Sequence, residues 1–286
     1  MIVTLTTDFG LRDGYVAAMK GAMLRRAGKR AAALRLVDVT HEVPAQDVMA
    51  AAFVLAQAAP QFPEGTVHLA VVDPGVGTDR RGIAAEFQLG GRPYRFVGPD
   101  NGVLPLLLNE AEPDAVVSLD RPAAWGVPEP SATFHGRDVF GPVAAALAAG
   151  AALGDVGSPV DRLTPMHWPL PRVDEQGVDG MVVHIDRYGN CVTNITRDDI
   201  ERYAGGRPFK CYVGAGVIPR SARSYGHVEA GEPLTLFGST GHLEVAVNGG
   251  NAAALLSVAR GASVNLIFEA APRPAPARLA PTGAQP

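Results

Sequence analysis

The chain has few cysteines, no excess of positive charge and no long apolar run. Its two cysteines among 286 residues, Cys191 and Cys211, have no metal or redox spacing, so we expect buried thiols in a reducing compartment rather than a disulfide framework. The 25 basic and 29 acidic residues give a net charge of −4, which offers nucleic acid no broad basic face. Apolar windows stay well short of the roughly 20 residues of a membrane span. The opening MIVTLTTDFG has a strand pattern rather than a secretory signal. We therefore expect a cytoplasmic protein with no nucleic-acid or membrane partner.

Metal and cofactor motifs are also missing. None of the seven histidines falls in an H-x-H or H-E-x-x-H arrangement, so no metal site is predicted. Gly75-Val76-Gly77 lacks the third glycine of a dinucleotide fingerprint and the Gly-Lys-Ser/Thr of a P-loop. We expect the protein to use no cofactor.

Apolar periodicity divides the chain into two domains. In residues 1–156, short apolar runs alternate with patterns of helical spacing, which predicts an α/β domain: a mixed, mostly parallel sheet covered by helices. Its predicted strands are Ile2–Thr6, Leu36–Val39, Thr66–Val72, Ile83–Leu89, Tyr94–Val97 and Ala115–Leu119, and Gly90-Gly91 predicts a hairpin between the fourth and fifth.

The second half has a different pattern. Residues 157–177 are proline-rich and lack either period, which indicates a linker. Residues 178–270 contain short strands separated by turn residues, which predicts a smaller β-barrel-like domain. Thr196 and Asp199 there form a capping-box pattern at the start of a helix. The Pro- and Ala-rich residues 271–286 are expected to be disordered.

Polar residues lie where predicted strands of the first domain end. Asp8 follows the first strand, Asp73 follows the strand Thr66–Val72, and His135 precedes an alanine-rich helix. Ligands of α/β proteins bind at the carboxyl ends of strands. An Asp before glycine at a strand end is, however, most often a turn or cap residue, and a histidine there can be purely structural.

The second domain has its own candidates. Asp186, Tyr188 and Asn190 surround Gly189 in HIDRYGN, where they form either an ordinary hairpin turn or a recognition loop. In a recognition loop, Asn reads a purine edge, Tyr stacks and Asp neutralises an ammonium group. The segments around Ser239-Thr240-Gly241 and Asn248-Gly249-Gly250 are likewise either turns or ligand loops.

Taken together, six segments resemble one family: TTDFGLRDGYVAAMKGAML, FPEGTVHLAVVDPGVGTDRR, FVGPDNGVL, TFHGRDVFGPVAAAL, HIDRYGNCVTNI and VNGGNAAALL. The family is that of the S-adenosylmethionine (SAM) hydrolases, or SAM hydroxide adenosyltransferases, which are related to the fluorinase and chlorinase. The resemblance covers residues 1–270. It implies an α/β domain and a β domain, assembled as a homotrimer that binds a small-molecule substrate between the first domain of one subunit and the second of its neighbour.

The resemblance also implies an activity and its residues. Activated water or hydroxide would attack the ribose 5′ carbon of SAM and release adenosine and L-methionine. Asp73, Arg80 and His135 match the set that holds the attacking water. The substrate-binding residues implied are Asp8 for the ribose hydroxyls, Asp186 for the ammonium, Tyr188 and Asn190 for the nucleoside, Ser239 and Thr240 for the methionine end, and Gly249 for backbone approach to adenine.

Departures from the halogenase pattern favour hydrolysis. The halogenases have Tyr where this chain has Asp73. The fluorinase has Ser at the position of Gly136 and Thr at the position of Val76. It also has aromatic residues at Gln46 and Val192. A carboxylate at a halide site repels the anion, whereas it can orient a histidine base or accept a proton from water.

Two other functions remain open from the sequence. One is a halogenase. The other is a non-catalytic SAM- or adenosine-binding protein that uses Asp8, Asp186 and Asn190. Such a protein would not depend on Asp73, Arg80 and His135.

Overall fold

A computed structural model of the chain describes residues 1–109, 111–219 and 221–269. The chain divides into two compact units, Met1–Trp168 and Pro169–Pro286. The segment predicted as a linker, 157–177, is divided between them and contributes one short strand to the sheet of each. The predicted disordered tail, 271–286, lies outside the described residues.

The first unit is built on a mixed sheet with the strand order β2-β1-β3-β5-β4-β6-β7. The first four strands in this order pair in parallel, and the remaining pairings are antiparallel. The predicted hairpin is confirmed between β4 and β5. The strands are β1 Ile2–Thr7, β2 Arg35–Thr40, β3 Val67–Val71, β4 Gly82–Leu89, β5 Arg92–Pro99, β6 Ala115–Ser118 and β7 Ser158–Pro159.

Helices cover both faces of this sheet, as predicted. One face packs Met19, Met23 and Val143 against β1 and β3, and the other packs Leu55 and Leu104 on the far side of the same sheet. The helices are α1 Tyr15–Ala27, α2 Val48–Ala58, α3 Pro105–Leu108, α4 Pro122–Trp125, α5 Gly141–Ala148 and α6 Leu153–Val156, with 3-10 turns at Gly28–Ala33 and Ala59–Gln61 and a π-helical turn at Gly136–Phe140.

The second unit contains a nearly closed, barrel-like antiparallel sheet, also as predicted. Its strand order is β12-β11-β15-β9-β10-β14-β13, with β8 beside β9, and a bridge from Ser221 to Thr235 of β13 brings the two edges together. The strands are β8 Arg172–Val173, β9 Gly177–Ile185, β10 Cys191–Thr196, β11 Phe209–Val213, β12 Gly216–Ile218, β13 Pro233–Phe237, β14 His242–Val247 and β15 Ser263–Phe268.

The described part of this unit also contains two helices and a 3-10 turn: α7 Arg197–Ala204, α8 Ala252–Leu255 and the turn Tyr225–His227. The predicted capping box is confirmed at α7, where Thr196 Oγ1 accepts from the Asp199 backbone N–H and Asp199 accepts from the Thr196 N–H. Cys191 and Cys211 are buried free thiols. Over the described ranges, no helix combines the length and apolar composition needed to cross a bilayer.

His68 is a buried histidine at the centre of the first sheet. Its Nδ1 is 2.8 Å from Thr4 Oγ1, and its ring packs against Phe62 and Tyr94. Burial lowers the pKa of His68 from 6.5 to about 4. The imidazole is therefore neutral in the folded protein at pH values where it is already protonated in the unfolded chain.

We predict that this difference makes the first unit acid-sensitive. Between pH 6.5 and pH 4 the unfolded chain binds the extra proton, so stability is greatest above pH 6.5 and falls as pH decreases, by about 3 kcal/mol in total. His68→Asn keeps a polar atom near Thr4 but does not titrate, so its unfolding free energy should depend less on pH in this window. Denaturant unfolding of both proteins at several pH values measures this, and equal slopes would contradict it.

Candidate active site

A small cavity lies at the carboxyl edge of the parallel strands in the first unit. Asp8 directly follows β1, and Asp73 lies just beyond the adjacent β3. The cavity has a volume of about 160 Å³, and its lining includes Asp8, Gln46, Asp73 and His135. The fold thus brings together four side chains that are distant in sequence.

Asp73, Arg80 and His135 form one hydrogen-bonded set beside this cavity. Arg80 Nε donates to Asp73 Oδ1 at 3.0 Å, and Arg80 Nη2 pairs with Asp73 Oδ2. The same Nη2 lies 3.2 Å from His135 Nδ1. Arg80 therefore stands between the other two side chains. The contact to the imidazole therefore comes from the Arg80 guanidinium, and the sequence-based alternative in which Asp73 orients His135 directly is corrected.

The environment of this set changes its acid–base properties. The side chains of Asp73 and Arg80 are only 6% and 9% exposed. Burial raises the pKa of Asp73, although the Arg80 cation and its hydrogen bonds oppose the shift. Burial and then the Arg80 charge lower the pKa of His135, against the opposing effect of nearby carboxylates. The histidine is thus held towards its neutral form, and the carboxylate is a stronger base than an exposed aspartate.

The loop from residue 73 to residue 80 holds Arg80 in place. Thr78 Oγ1 donates to the Gly75 carbonyl at 2.7 Å and accepts from the Arg80 backbone N–H. Gly77 has φ of +76°, and a Cβ there would lie 2.5 Å from the Ala132 carbonyl oxygen. Only glycine fits this turn, both for its backbone angle and for its contact with the segment before His135.

His135 directly precedes the π-helical turn Gly136–Phe140, whose closing bond runs from the Gly141 N–H to the Gly136 carbonyl. Turns of this type occur frequently at functional sites. The buried Phe140 ring lies under Arg80, with 5.3 Å from the guanidinium carbon to the ring centroid, and contacts His135 edge-on. A Cβ at Gly136 would lie 2.9 Å from the Phe9 ring. The absence of a side chain at position 136 therefore leaves the space that the Phe9 ring occupies.

We predict that Gly136→Ser disturbs this packing. The new side chain must displace Phe9, which lies next to Asp8, or shift the turn that follows His135. Overpacking of this kind costs about 1–3 kcal/mol. Thermal unfolding and turnover of the variant should both be lowered, with Gly14→Ser as the control because nothing lies near the Cβ position there. Unchanged behaviour of Gly136→Ser would show that the Phe9 contact is dispensable.

A larger cavity, about 650 Å³, lies in the second unit. It is lined by Asp186, Tyr188, Asn190, Tyr225, Val247, Gly249 and Gly250, so four of the predicted residues come together there. Asp186 Oδ1 accepts from the backbone N–H groups of Tyr188 and Asn190, and Asp186 Oδ2 accepts from Asn190 Nδ2 at 2.9 Å. The Asp186 carboxylate thus fixes the turn that presents Asn190, while Tyr188 is 76% exposed.

Ser239 and Thr240 do not line this cavity. They lie in the turn between β13 and β14, where Ser239 is exposed and Thr240 Oγ1 is 3.2 Å from His242 Nδ1. Gly238, which precedes them in the turn, lies directly beside the Glu244 side chain. A Cβ added at Gly238 would clash with the Glu244 carboxylate.

The sequence analysis missed Tyr225 and Glu244. Tyr225 lines the cavity, and its hydroxyl donates to Glu244 Oε2 at 2.9 Å. Burial, the Glu244 hydrogen bond and nearby negative charge raise the pKa of Tyr225 to about 12. Burial also raises the pKa of Glu244, which the Asp186 charge reinforces. Tyr225 lies in the 3-10 turn Tyr225–His227, and no sequence pattern singles it out.

No group of three or more His, Cys, Asp or Glu side chains within 1–109, 111–219 and 221–269 could hold a metal ion. The polar groups of both cavities are instead those that bind hydroxyl, amide and ammonium groups.

The fold and the two cavities define the class: an α/β unit with an acid–base cluster at its sheet edge, joined to a β unit with an aromatic, amide-bearing cavity. Residues 3–157 match the SAM hydroxide adenosyltransferase N-terminal domain, and residues 180–265 match the C-terminal domain of that family. The chain belongs to the SAM hydroxide adenosyltransferase family.

Individual relatives agree with this assignment. A protein of Salinispora tropica named (R)-S-adenosyl-L-methionine hydrolase is 42% identical over 275 residues, which is 91% of this chain and 95% of that protein. One of the same name from Thermus thermophilus is 40% identical over 271 residues, or 93% and 99% of the two chains. A fluorinase of Actinopolyspora mzabensis is more distant, at 29% identity over 299 residues, or 93% and 96%.

A solved structure shares the fold. The crystal structure of an uncharacterized conserved protein from Thermotoga maritima has a TM-score of 0.83 and 36% identity to this chain, and the match covers 93% of this chain and 100% of that one.

Proposed function

We propose that this protein is an enzyme that hydrolyses S-adenosyl-L-methionine to adenosine and L-methionine, and that it prefers the (R) configuration at the sulfonium named for its relatives. The observation that carries the proposal is the hydrogen-bonded set of Asp73, Arg80 and His135 at a cavity that also contains Asp8. A protein that only bound the nucleoside would not need a buried carboxylate, guanidinium and imidazole beside it.

In the proposed reaction a water oxygen attacks the ribose 5′ carbon opposite the C–S bond. The C–O bond forms, the C–S bond breaks, and its electron pair goes to sulfur, which leaves as the neutral thioether of methionine. No acid has to assist this leaving group. Alignment of water and carbon contributes up to about 7–11 kcal/mol in favourable cases, so holding the water is the main task of the cluster.

The hydrogen bonds indicate which group takes the proton of the water. Arg80 points an N–H at His135 Nδ1, so in the neutral imidazole this nitrogen is the acceptor and Nε2 carries the proton. His135 therefore orients the water by donating its Nε2–H to the water oxygen. Asp73, whose pKa is raised by burial, remains as the acceptor, from which the proton passes to solvent.

The remaining roles follow the family resemblance. We propose that Asp8 binds the ribose hydroxyls, that Asp186, Tyr188, Asn190 and Gly249 bind the amino-acid and nucleoside ends, and that Ser239 and Thr240 act at the methionine end. Tyr225 faces the same cavity as Tyr188 and supplies a second aromatic surface. The cavity next to Asp73 is smaller than the roughly 300–1,000 Å³ of sites that enclose a whole ligand.

That size difference supports an assembly. We propose a homotrimer in which the first unit of one subunit and the second unit of a neighbour together enclose the substrate. We further propose that the reaction needs no cofactor and takes place in the cytoplasm, a reducing compartment consistent with two buried free thiols.

Incubation of the purified protein with each sulfonium epimer of SAM tests the activity. Adenosine and methionine should form in equal amounts, faster from the (R) epimer. Tight binding without turnover would favour the nucleoside-binding alternative. Formation of a 5′-halo-5′-deoxyadenosine in the presence of halide would favour a halogenase, and S-adenosylhomocysteine would indicate methyl transfer. Each of these results contradicts the proposal.

A further inference from the structure

A chain of polar contacts connects the surface of the first unit with the loop that carries Asp8. Lys20 Nζ donates to Asp38 Oδ2 at 2.6 Å, and Asp38 Oδ1 lies 3.0 Å from His41 Nε2 in a bent contact. His41 Nδ1 in turn is 2.8 Å from Thr7 Oγ1. The His41 side chain is only 2% exposed, and Thr7 is fully buried. The function proposed above assigns a role to neither His41 nor Thr7.

The chemistry of these groups fixes the direction of the hydrogen bonds. A carboxylate presents only acceptors, so the ring nitrogen facing Asp38 must carry a proton. In the neutral imidazole Nδ1 is then an acceptor, and the Thr7 hydroxyl donates to it. The Thr7 oxygen keeps a lone pair for the Phe9 backbone N–H, which lies 3.3 Å away. Burial opposes the charge of Asp38, but hydrogen bonds from Lys20 and His41 outweigh it and lower the pKa of Asp38, so the carboxylate that orients His41 stays ionised.

These bonds meet at the two sides of Asp8. On one side, Thr7 holds the Phe9 N–H. On the other, the Gly10 N–H donates to the His41 carbonyl at 2.7 Å, so His41 holds the loop through both its ring and its backbone. The Asp8 carboxylate itself accepts from the Gln46 backbone N–H at 2.8 Å. Gln46 has φ of 64°, a left-handed conformation that is uncommon outside glycine.

We propose that His41, acting through Thr7, is a positioning residue that holds the Asp8 carboxylate in the geometry needed to bind both hydroxyls of a ribose. The inference rests on the proposed nucleoside substrate and on Asp8 as the residue that grips its diol. A carboxylate with one oxygen held by Gln46 can accept from two neighbouring hydroxyls only if its loop does not rotate. The series of polar contacts from Asp38 to the Phe9 N–H prevents that rotation. Breaking this series should weaken recognition of the ribose diol specifically.

The test compares affinity for adenosine and 2′-deoxyadenosine, measured by calorimetry on the full-length protein. The parent should prefer adenosine, and Asp8→Ala should remove the preference. Thr7→Val has nearly the same volume but no hydroxyl. It should reduce the preference about tenfold, which corresponds to losing one hydrogen bond from a ribose hydroxyl to the charged Asp8 carboxylate. Thr7→Ser restores the hydroxyl and should return the preference towards that of the parent.

Two substitutions of His41 test the contributions of its two ring nitrogens separately. His41→Asn keeps a polar atom near the Nδ1 position and so near Thr7, whereas His41→Gln places one near Nε2 and loses Thr7. His41→Gln should therefore lower the adenosine preference more than His41→Asn. The KM for SAM should rise more in His41→Gln than in His41→Asn, and kcat should change less than KM in both variants.

Failure of this inference and failure of the proposed function have different signatures. If the parent forms no adenosine from SAM, the activity is wrong, and the nucleoside affinities still test the positioning role. If Thr7→Val and His41→Gln stay folded and keep the parent's preference for adenosine, or if the parent has no preference, the positioning role is overturned. Should Thr7→Val unfold, the comparison of the two His41 variants decides.

Discussion

Replacing Asp73 by asparagine should lower kcat and kcat/KM together by about 10³-fold, because an amide cannot accept the proton of the attacking water. Asparagine keeps an oxygen acceptor for the Arg80 Nε–H bond, although it loses the carboxylate oxygen that pairs with Arg80 Nη2. In the proposed mechanism Asp73 contacts the water rather than the nucleoside, so the affinity for SAM should change little. Steady-state kinetics together with calorimetric SAM binding to the variant measure both quantities.

The same loop provides a matched control. Asp79 is exposed, and Asp79→Asn makes the same chemical change three residues before the strand β4 begins. Its kinetics should equal those of the parent. If Asp73→Asn turned over SAM at the parent's rate, the proton acceptor would have to be another group, and the catalytic role of the cluster would be lost.

Arg80→Leu should be among the most destabilising single substitutions in the first unit. It leaves the Asp73 carboxylate buried without its partner, and breaking a buried pair in this way costs about 3–5 kcal/mol. It also removes the cation over the Phe140 ring. With Arg80 gone, burial raises the pKa of Asp73 further, so the variant's deficit should be largest at neutral pH and should shrink as pH falls and the carboxylate is protonated. Denaturant unfolding of parent and variant across this range measures the effect.

The double variant Asp73→Asn/Arg80→Leu separates charge from packing. It contains no unpaired buried charge, so it should be more stable than Arg80→Leu alone at neutral pH while remaining inactive. Equal stabilities of the two variants would mean that the destabilisation comes from lost packing on Phe140 rather than from an unpaired carboxylate.

Much of the first cavity could be predicted from the sequence because it depends on strand ends. Two parallel neighbours, β1 and β3, end at the same edge of the sheet, so Asp8 and Asp73 had to lie close together. The order of contacts in the cluster could not be predicted. Whether His135 hydrogen-bonds to Asp73 or to Arg80 depends on side-chain torsions and on the π-helical turn after His135. Neither can be read from the spacing of apolar residues.

The second cavity was less predictable because its walls are not local in sequence. Asp186 and Asn190 share one turn and were found together, but Tyr225 comes from a 3-10 turn with no pattern of its own. Glu244 lies on β14 at a position where alternation places polar residues outward. Its side chain is nevertheless buried, because the segment that carries Tyr225 covers this face. Strands of two residues, such as β7 and β8, are too short for any period to reveal.

The extent of each helix was also hard to predict. The pattern from Val139 to Ala149 favours one continuous helix, whereas the structure has a π-helical turn at Gly136–Phe140 followed by α5. The apolar pattern of Ala252–Val258 likewise favours a helix over all seven residues, whereas α8 ends at Leu255. Pattern-based assignment places the apolar face of a helix correctly, but ends and turn type depend on capping bonds and on contacts with other elements.

Turnover of (R)-SAM in water enriched in ¹⁸O tests the central claim most directly. If water held by Asp73, Arg80 and His135 attacks the ribose, mass spectrometry should find the label in the 5′ hydroxyl of adenosine and none in methionine, and Asp73→Asn should form the labelled product about 10³-fold more slowly. Adenosine without the label, or label found in methionine, would contradict attack of water at the 5′ carbon.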